Sequence, residues 1–230
     1  MKRATELFAI ERRPSSSPYV AELWWSRSEP EDTFISVAAS HWEMCVTRQQ
    51  GSAWVTVRDP QTKATTTPIP EDAEFFGIRF SLGTFMPNLP PSRLVDRAVT
   101  LPQATDASFW LDESAWSLPE PETADVFVRR LASTGLLVHD PIASAVVQGG
   151  AEGLSTRALE RRVARATGLT RGAIRQIERA ERAVELLSEG VSAPDAARQA
   201  GYADQPHLTR SLKRFVGQTP SQILSSAPGT

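Results

Sequence analysis

Cysteine occurs once in the 230 residues, at Cys45, and histidine three times, at His41, His139 and His207. A lone thiol excludes an internal disulfide and any multi-cysteine zinc site, and three imidazoles supply little for histidine-rich metal chemistry. No apolar run reaches the ~18 residues of a membrane-spanning helix. The opening MKRATELFAIERR interrupts its short apolar stretch with Glu6 and Glu11, unlike a secretory signal. These absences predict a soluble chain of one or two domains in a reducing cytoplasm. No Ser/His/Asp set can be assembled from the three histidines, so no catalytic residues, metal or cofactor are assigned. His41 and Glu43, two apart on a predicted strand, lack the further imidazoles a metal would need and are read as a satisfied polar pair.

A large charge of one sign is also missing. The net charge is −2, which for the whole chain argues against a nucleic-acid partner. Its distribution reverses that reading. Residues 1–150 carry 13 basic and 19 acidic side chains, whereas residues 151–230 carry 12 and 8, and 11 of those 12 are arginine. All six tryptophans, Trp24, Trp25, Trp42, Trp54, Trp110 and Trp116, fall in the first half. Two domains of different character follow from this asymmetry.

From about Tyr19 to Phe80 the apolar residues alternate with the period of two expected of half-buried strands. Ala53, Val55 and Val57 share one face, and Thr33–Val37 and Phe76–Phe80 are similarly short and rich in β-branched and aromatic types. Turn signals at Glu29–Asp32, Gln50–Ser52, Asp59–Pro60 and Pro68–Asp72 separate them, which suggests a small barrel or sandwich. A barrel mouth lined by Trp42, Trp54, Phe76 and Arg79 would suit an aromatic or anionic small molecule. Cys45, inside Met44–Val46, reads as inert core.

After Pro121 the period becomes helical. Thr123, Asp140, Ser155, Thr170, Ser192, Asp204 and Thr219 stand where helix caps are wanted, and Gly135, Gly149, Gly168, Gly190, Gly201 and Gly217 where helices stop. The segment VSAPDAARQAGYADQPHLTRSLKRFVGQTPSQ has the form of a helix-turn-helix, with Ala197 allowing close helix approach and Gly201 the sharp turn. Leu208, Leu212 and Phe215 form its inward stripe. Gln205, Pro206, Thr209, Arg210 and Lys213 are left facing outward, as a helix reading a major groove requires. A weaker copy, GLSTRALERRVARATG, buries Leu159, Val163 and Ala166 and presents Arg157, Glu160, Arg161 and Ala164, with Arg165 one turn on. Arg162 points off that face, toward a phosphate or a neighbour. The helix between the copies, Thr170 to Glu189, would span about 30 Å, close to the ~34 Å turn of duplex DNA.

These helical segments resemble the AraC family of bacterial transcription regulators over about Asp140 to Leu224, most closely in GYADQPHLTRSLKRFVGQTPSQI and then in LSTRALERRVARATGLT. The strand-rich half resembles, less specifically, the cupin-like sensor domain of such regulators. The resemblance implies base contacts for Arg157, Glu160 and Arg161 in the first helix and for Gln205, Thr209 and Arg210 in the second. Arg165, Lys213 and His207 are the expected phosphate contacts. Pro206 departs from a position that is often polar in the family. A second departure is that only about a dozen residues separate Asp140 from Gly153, so the first helix-turn-helix is expected to be truncated.

The expected architecture is therefore α+β, a cupin-like β-barrel or sandwich over 1–120, a connecting helix over 121–138 and an all-α double helix-turn-helix domain over 139–230. The expected function is sequence-specific regulation of transcription on double-stranded promoter DNA in the cytoplasm. A small-molecule effector, RNA polymerase and a second copy of the chain are further candidate partners, and no membrane is involved. The rival is a cupin-like small-molecule-binding protein or enzyme whose helices serve assembly or bind another protein.

Overall fold

The structure, a computed structural model, describes residues 10–28, 33–58, 60–68, 70–147, 149–150 and 155–226. The sequence landmarks at residues 1–9, Glu29–Asp32, Asp59, Ile69 and 151–154 lie outside them. Alternating segments in the first half form β1 (Glu11–Arg13), β2 (Val20–Arg27), β4 (Glu43–Gln49), β5 (Ser52–Arg58), β7 (Glu74–Phe80) and β9 (Ala98–Thr100) of one antiparallel sheet, in the order β1-β2-β7-β4-β5-β9. The order is open, with β1 and β9 at its edges. Smaller pairings join β3 (Thr33–Ser36) to β6 (Thr65–Pro68) and β8 (Thr84–Phe85) to β13 (Val138–His139). A third unit is the three-stranded β10 (Gln103–Thr105), β11 (Ser108–Leu111) and β12 (Ser114–Ser117).

Register decides which side chains meet. Met44 lies between Val57 and Ile78, and Val46 between Val55 and Phe76, so one face of the sheet carries the main core. The opposite face carries Trp54 beside Thr47 and Phe75, then Cys45 beside Gly77 and Trp24. Trp24 lies flat on Gly77, where a Cβ would fall 2.0 Å from the indole; only glycine fits there. The Trp24 indole N–H donates to Glu43 at 3.0 Å.

On the core face Trp42 stacks on Phe80 with centroids 3.9 Å apart and donates its indole N–H to the Thr84 carbonyl at 2.6 Å. Helix α1 (Ala124–Ser133) closes this core with Ala124, Phe127, Val128 and Leu131. Phe127 meets Phe109 and Trp116 edge-on, so the helix expected to connect two domains is a core element of the strand half. Its amphipathic period was legible, but the partner of its apolar stripe depends on a long-range contact.

The second half is helical: α2 (Pro141–Val147), α3 (Thr156–Thr167), α4 (Arg171–Ser188), α5 (Ala193–Gln199), α6 (Gln205–Phe215) and α7 (Pro220–Ser225). Ser155, Thr170, Ser192, Asp204 and Thr219 each accept a first-turn backbone N–H, as their positions predict. One face of α4, Ile174, Ile177, Ala180, Ala183, Leu186 and Leu187, organises the helical core. Among the described residues no helix is long and apolar enough to cross a membrane.

Leu131 is fully buried in the strand core. Leu131→Ala is expected to lower unfolding free energy by about 2–5 kcal/mol, read as a lower midpoint in chemical denaturation with an unchanged slope.

Candidate DNA interface

Helix α6 is set by its cap and its stripe. The Asp204 carboxylate accepts the His207 N–H at 2.6 Å, and Leu208, Leu212 and Phe215 are buried, as the spacing predicts. That phase leaves Gln205, Pro206, Arg210 and Lys213 exposed and Thr209 half-buried. The Thr209 hydroxyl donates back to the Gln205 carbonyl at 2.9 Å. Helix α5 packs ahead of α6 through Ala196 and Ala197, and Gly201 takes the left-handed conformation (φ +76) in the turn between them.

Tyr202, after that turn, locks the unit. Its hydroxyl shares a hydrogen bond with Ser211 at 2.9 Å, the His207 ring stands edge-on to it at 5.2 Å, and the Arg179 guanidinium from α4 lies 5.6 Å from its centroid. Burial pushes its pKa above the usual phenol value. The half-buried His207 is thus part of the turn's packing, the alternative to a ring extended toward a phosphate. Tyr202 was not singled out from sequence; an aromatic beside the Gly201 turn was the available signal.

Helix α3 repeats the design. Ser155 caps it, Val163 and Ala166 are buried and Leu159 is half-buried, Arg157 and Arg161 are exposed, and Glu160 is half-buried. Ahead of it stands only the short α2, because α1 belongs to the other core. The first unit therefore has one short helix in place of two among the described residues. The 18 residues of α4 between the units span about 27 Å.

The junction with the strand half is Asp140. Its side chain is 4% exposed and accepts the N–H groups of Ile142 and Ala143, both at 3.1 Å. Both its oxygens face the Arg162 Nε, at 2.7 and 2.8 Å. Arg162 therefore has a carboxylate partner within the chain rather than a phosphate. Arg165, 3.9 Å from the same carboxylate and 5.8 Å from the Phe85 ring, keeps an exposed side chain. Burial alone would raise the Asp140 pKa, but the Arg162 guanidinium and the two amides together hold it below the ordinary carboxylate value. Among the described residues Arg157, Arg161, Arg210 and Lys213 form no ion pair.

The effector mouth expected from Trp42, Trp54, Phe76 and Arg79 does not form. Trp42 and Phe76 are core, whereas Trp54 and Arg79 lie on the other face of the sheet. Strand parity separates them: Trp54 is one residue out of phase with Val55 and Val57. Arg79 pairs with Glu22 and lies 3.8 Å from Glu43. Beside Trp42 the gap toward Val57, Met86 and Leu94 holds no water-sized space. A groove of about 630 Å³ lies instead at the strand ends, lined in part by Arg27, Arg48, Asp72, Glu74, Asp106 and Glu120. His41 and Glu43 are satisfied separately, the imidazole 3.2 Å from the Ser40 hydroxyl and the carboxylate by Trp24. Burial and Arg79 lower the His41 pKa to about 4, and burial pushes that of Cys45 to about 11, so both are neutral at pH 7.

Residues 150–226 match a family described as a helix-turn-helix domain. The C-terminal region is a helix-turn-helix domain of the AraC type. Two solved structures similar to the chain are of ToxT from Vibrio cholerae O395. One is 12% identical with a TM-score of 0.45, covering 90% of this chain and 98% of that one. The other, ToxT bound to (E)-4-(8-methylnaphthalen-1-yl)but-3-enoic acid, is 12% identical with a TM-score of 0.45, covering 89% and 98%. No curated protein sequence matches the chain.

Asp140→Asn keeps a cap acceptor but removes the charge that Arg162 faces. A depressed carboxylate pKa contributes stability that is present above the unfolded value and lost as pH falls through the folded one. The variant is therefore expected to melt below the wild type at pH 7, with the gap closing below about pH 4. A gap independent of pH would show that the charge is not responsible.

Proposed function

We propose that the chain regulates transcription by reading two successive major-groove segments of promoter DNA with the N-terminal halves of α3 and α6. The observation that carries this is the shared polarity of the two helices. Each buries its inner stripe and leaves charged or amide side chains toward its N-terminal end without ion-pair partners among the described residues. Guanidinium groups of Arg157, Arg161 and Arg210 suit guanine edges, Gln205 suits adenine, Glu160 accepts from cytosine, and the Thr209 methyl meets thymine. Lys213 and Arg165 stand a turn farther along, where a phosphate contact fits.

The strand half acts as the sensor or dimerisation domain. A small-molecule effector would occupy the groove between Arg27, Arg48 and Glu120, since the core itself is filled. RNA polymerase and a second copy of the chain are further partners, and the setting is the cytoplasm.

Footprinting of the full chain on genomic fragments across a salt series tests the reading. A protected site longer than one helical turn, with affinity falling steeply as salt rises, is expected. Weak, sequence-indifferent binding would overturn it. Arg210→Ala is expected to relax discrimination at one base pair by about 1–3 kcal/mol. Uniform weakening over all sequences would make Arg210 a phosphate contact instead.

A further inference from the structure

Both reading helices end in a left-handed glycine, and both glycines are seated on the strand half. At Gly168 (φ +72) a Cβ would lie 2.8 Å from the Pro91 carbonyl carbon and oxygen and 3.0 Å from the Ser92 nitrogen. At Gly217 (φ +74) it would lie 3.0 Å from Ile35 Cγ2 and 3.3 Å from Ala64 Cβ. The backbone of one half therefore rests directly on the other at two corresponding points.

Each seat has further ties. The last carbonyls of a helix have no partner within it. In α6 these are taken from outside the helical half: the Ala38 N–H donates to Phe215 O at 2.7 Å and the Ala64 N–H to Arg214 O at 2.8 Å. Ala38 is itself buried in the helical core. At α3, Phe85 packs with Ala143 and Ala166, and Arg162 is held by Asp140, whose own N–H donates to Gly83 O at 2.8 Å.

Helix α4 fixes the length between the two units, and its buried face holds both within the helical core. A second set of ties through the strand half closes the frame. One base pair moves a half-site by about 3.4 Å and, at about 10.5 base pairs per turn, rotates it by about 34°. A frame tied at both ends registers that difference.

We infer that the strand half sets the separation and angle of the two reading helices and so determines which half-site spacing the protein accepts. Ile35, Ala38 and Ala64 are then positioning residues for α6, acting without touching DNA. The inference rests on the reading in which α3 and α6 both enter the major groove.

The test uses the full chain and the footprinted operator, together with versions carrying one or two base pairs added or removed between the contacted segments. A half-operator holding only the α6 segment completes the set. Wild type and the seat-remote destabilised variant Leu131→Ala are expected to lose about tenfold or more in affinity per base pair of altered spacing. Ile35→Ala is expected to bind the native operator more weakly, to show a spacing penalty under about threefold, and to bind the half-operator as wild type does. A wild-type-like penalty in Ile35→Ala, an equal loss on the half-operator, or no penalty in the wild type overturns the inference while leaving DNA reading intact. Absence of any sequence-specific footprint in the wild type overturns both.

Discussion

One buried carboxylate ties together the end of the strand half, the start of the helical half and helix α3. Asp140 caps α2, holds Arg162 of α3 with both oxygens, and is fixed through its own N–H to Gly83 beside β8. Such a group is costly to bury unless it is hydrogen-bonded and paired, and here two amides and a guanidinium meet it. The rest of the interface follows from that anchor. With α3 fixed at Arg162, its stripe must turn onto α2 and α4 and its N-terminal arginines must point outward.

The same pairing sorts the arginines. In the sequence the eleven arginines of the last 80 residues look alike. In the structure Arg162 and Arg165 face Asp140, Arg182 pairs with Glu185, Arg198 with Asp195, and Arg179 lies over Tyr202. Of the other six, Arg171 and Arg175 lie on α4 and Arg214 over the Phe215 ring, whereas Arg157, Arg161 and Arg210 lie on the exposed faces of α3 and α6. The basic charge of this half is thus divided between internal ties and the exposed faces of α3 and α6, which a count of residues does not show.

Legibility followed the range of the interactions. Caps such as Asp204 and Thr219, and stripes such as Leu208, Leu212 and Phe215, depend on neighbours within a turn of helix, and the sequence pattern was enough to place them. The Ala53, Val55, Val57 face was readable for the same reason with a period of two. Contacts between distant segments were not: nothing near Ala38, Ala64 or Pro91 marks them as seats for a helix end, and nothing near α1 says that Phe127 meets Phe109. The effector mouth failed differently, since the alternation already placed Trp54 on the face opposite Val55.

The two backbone amides that reach α6 also bear on how such a chain could be recombined. A cut at residue 139 looks clean in the sequence, where strand patterning ends and helix patterning begins. Transplanting residues 139–230 onto another sensor would leave the carbonyls of Arg214 and Phe215 to water and empty the place of Ala38 in the helical core. The unit that can be exchanged is therefore discontinuous: the helices travel together with the β3–β6 strand pair and the Pro91 turn, or they lose their seats.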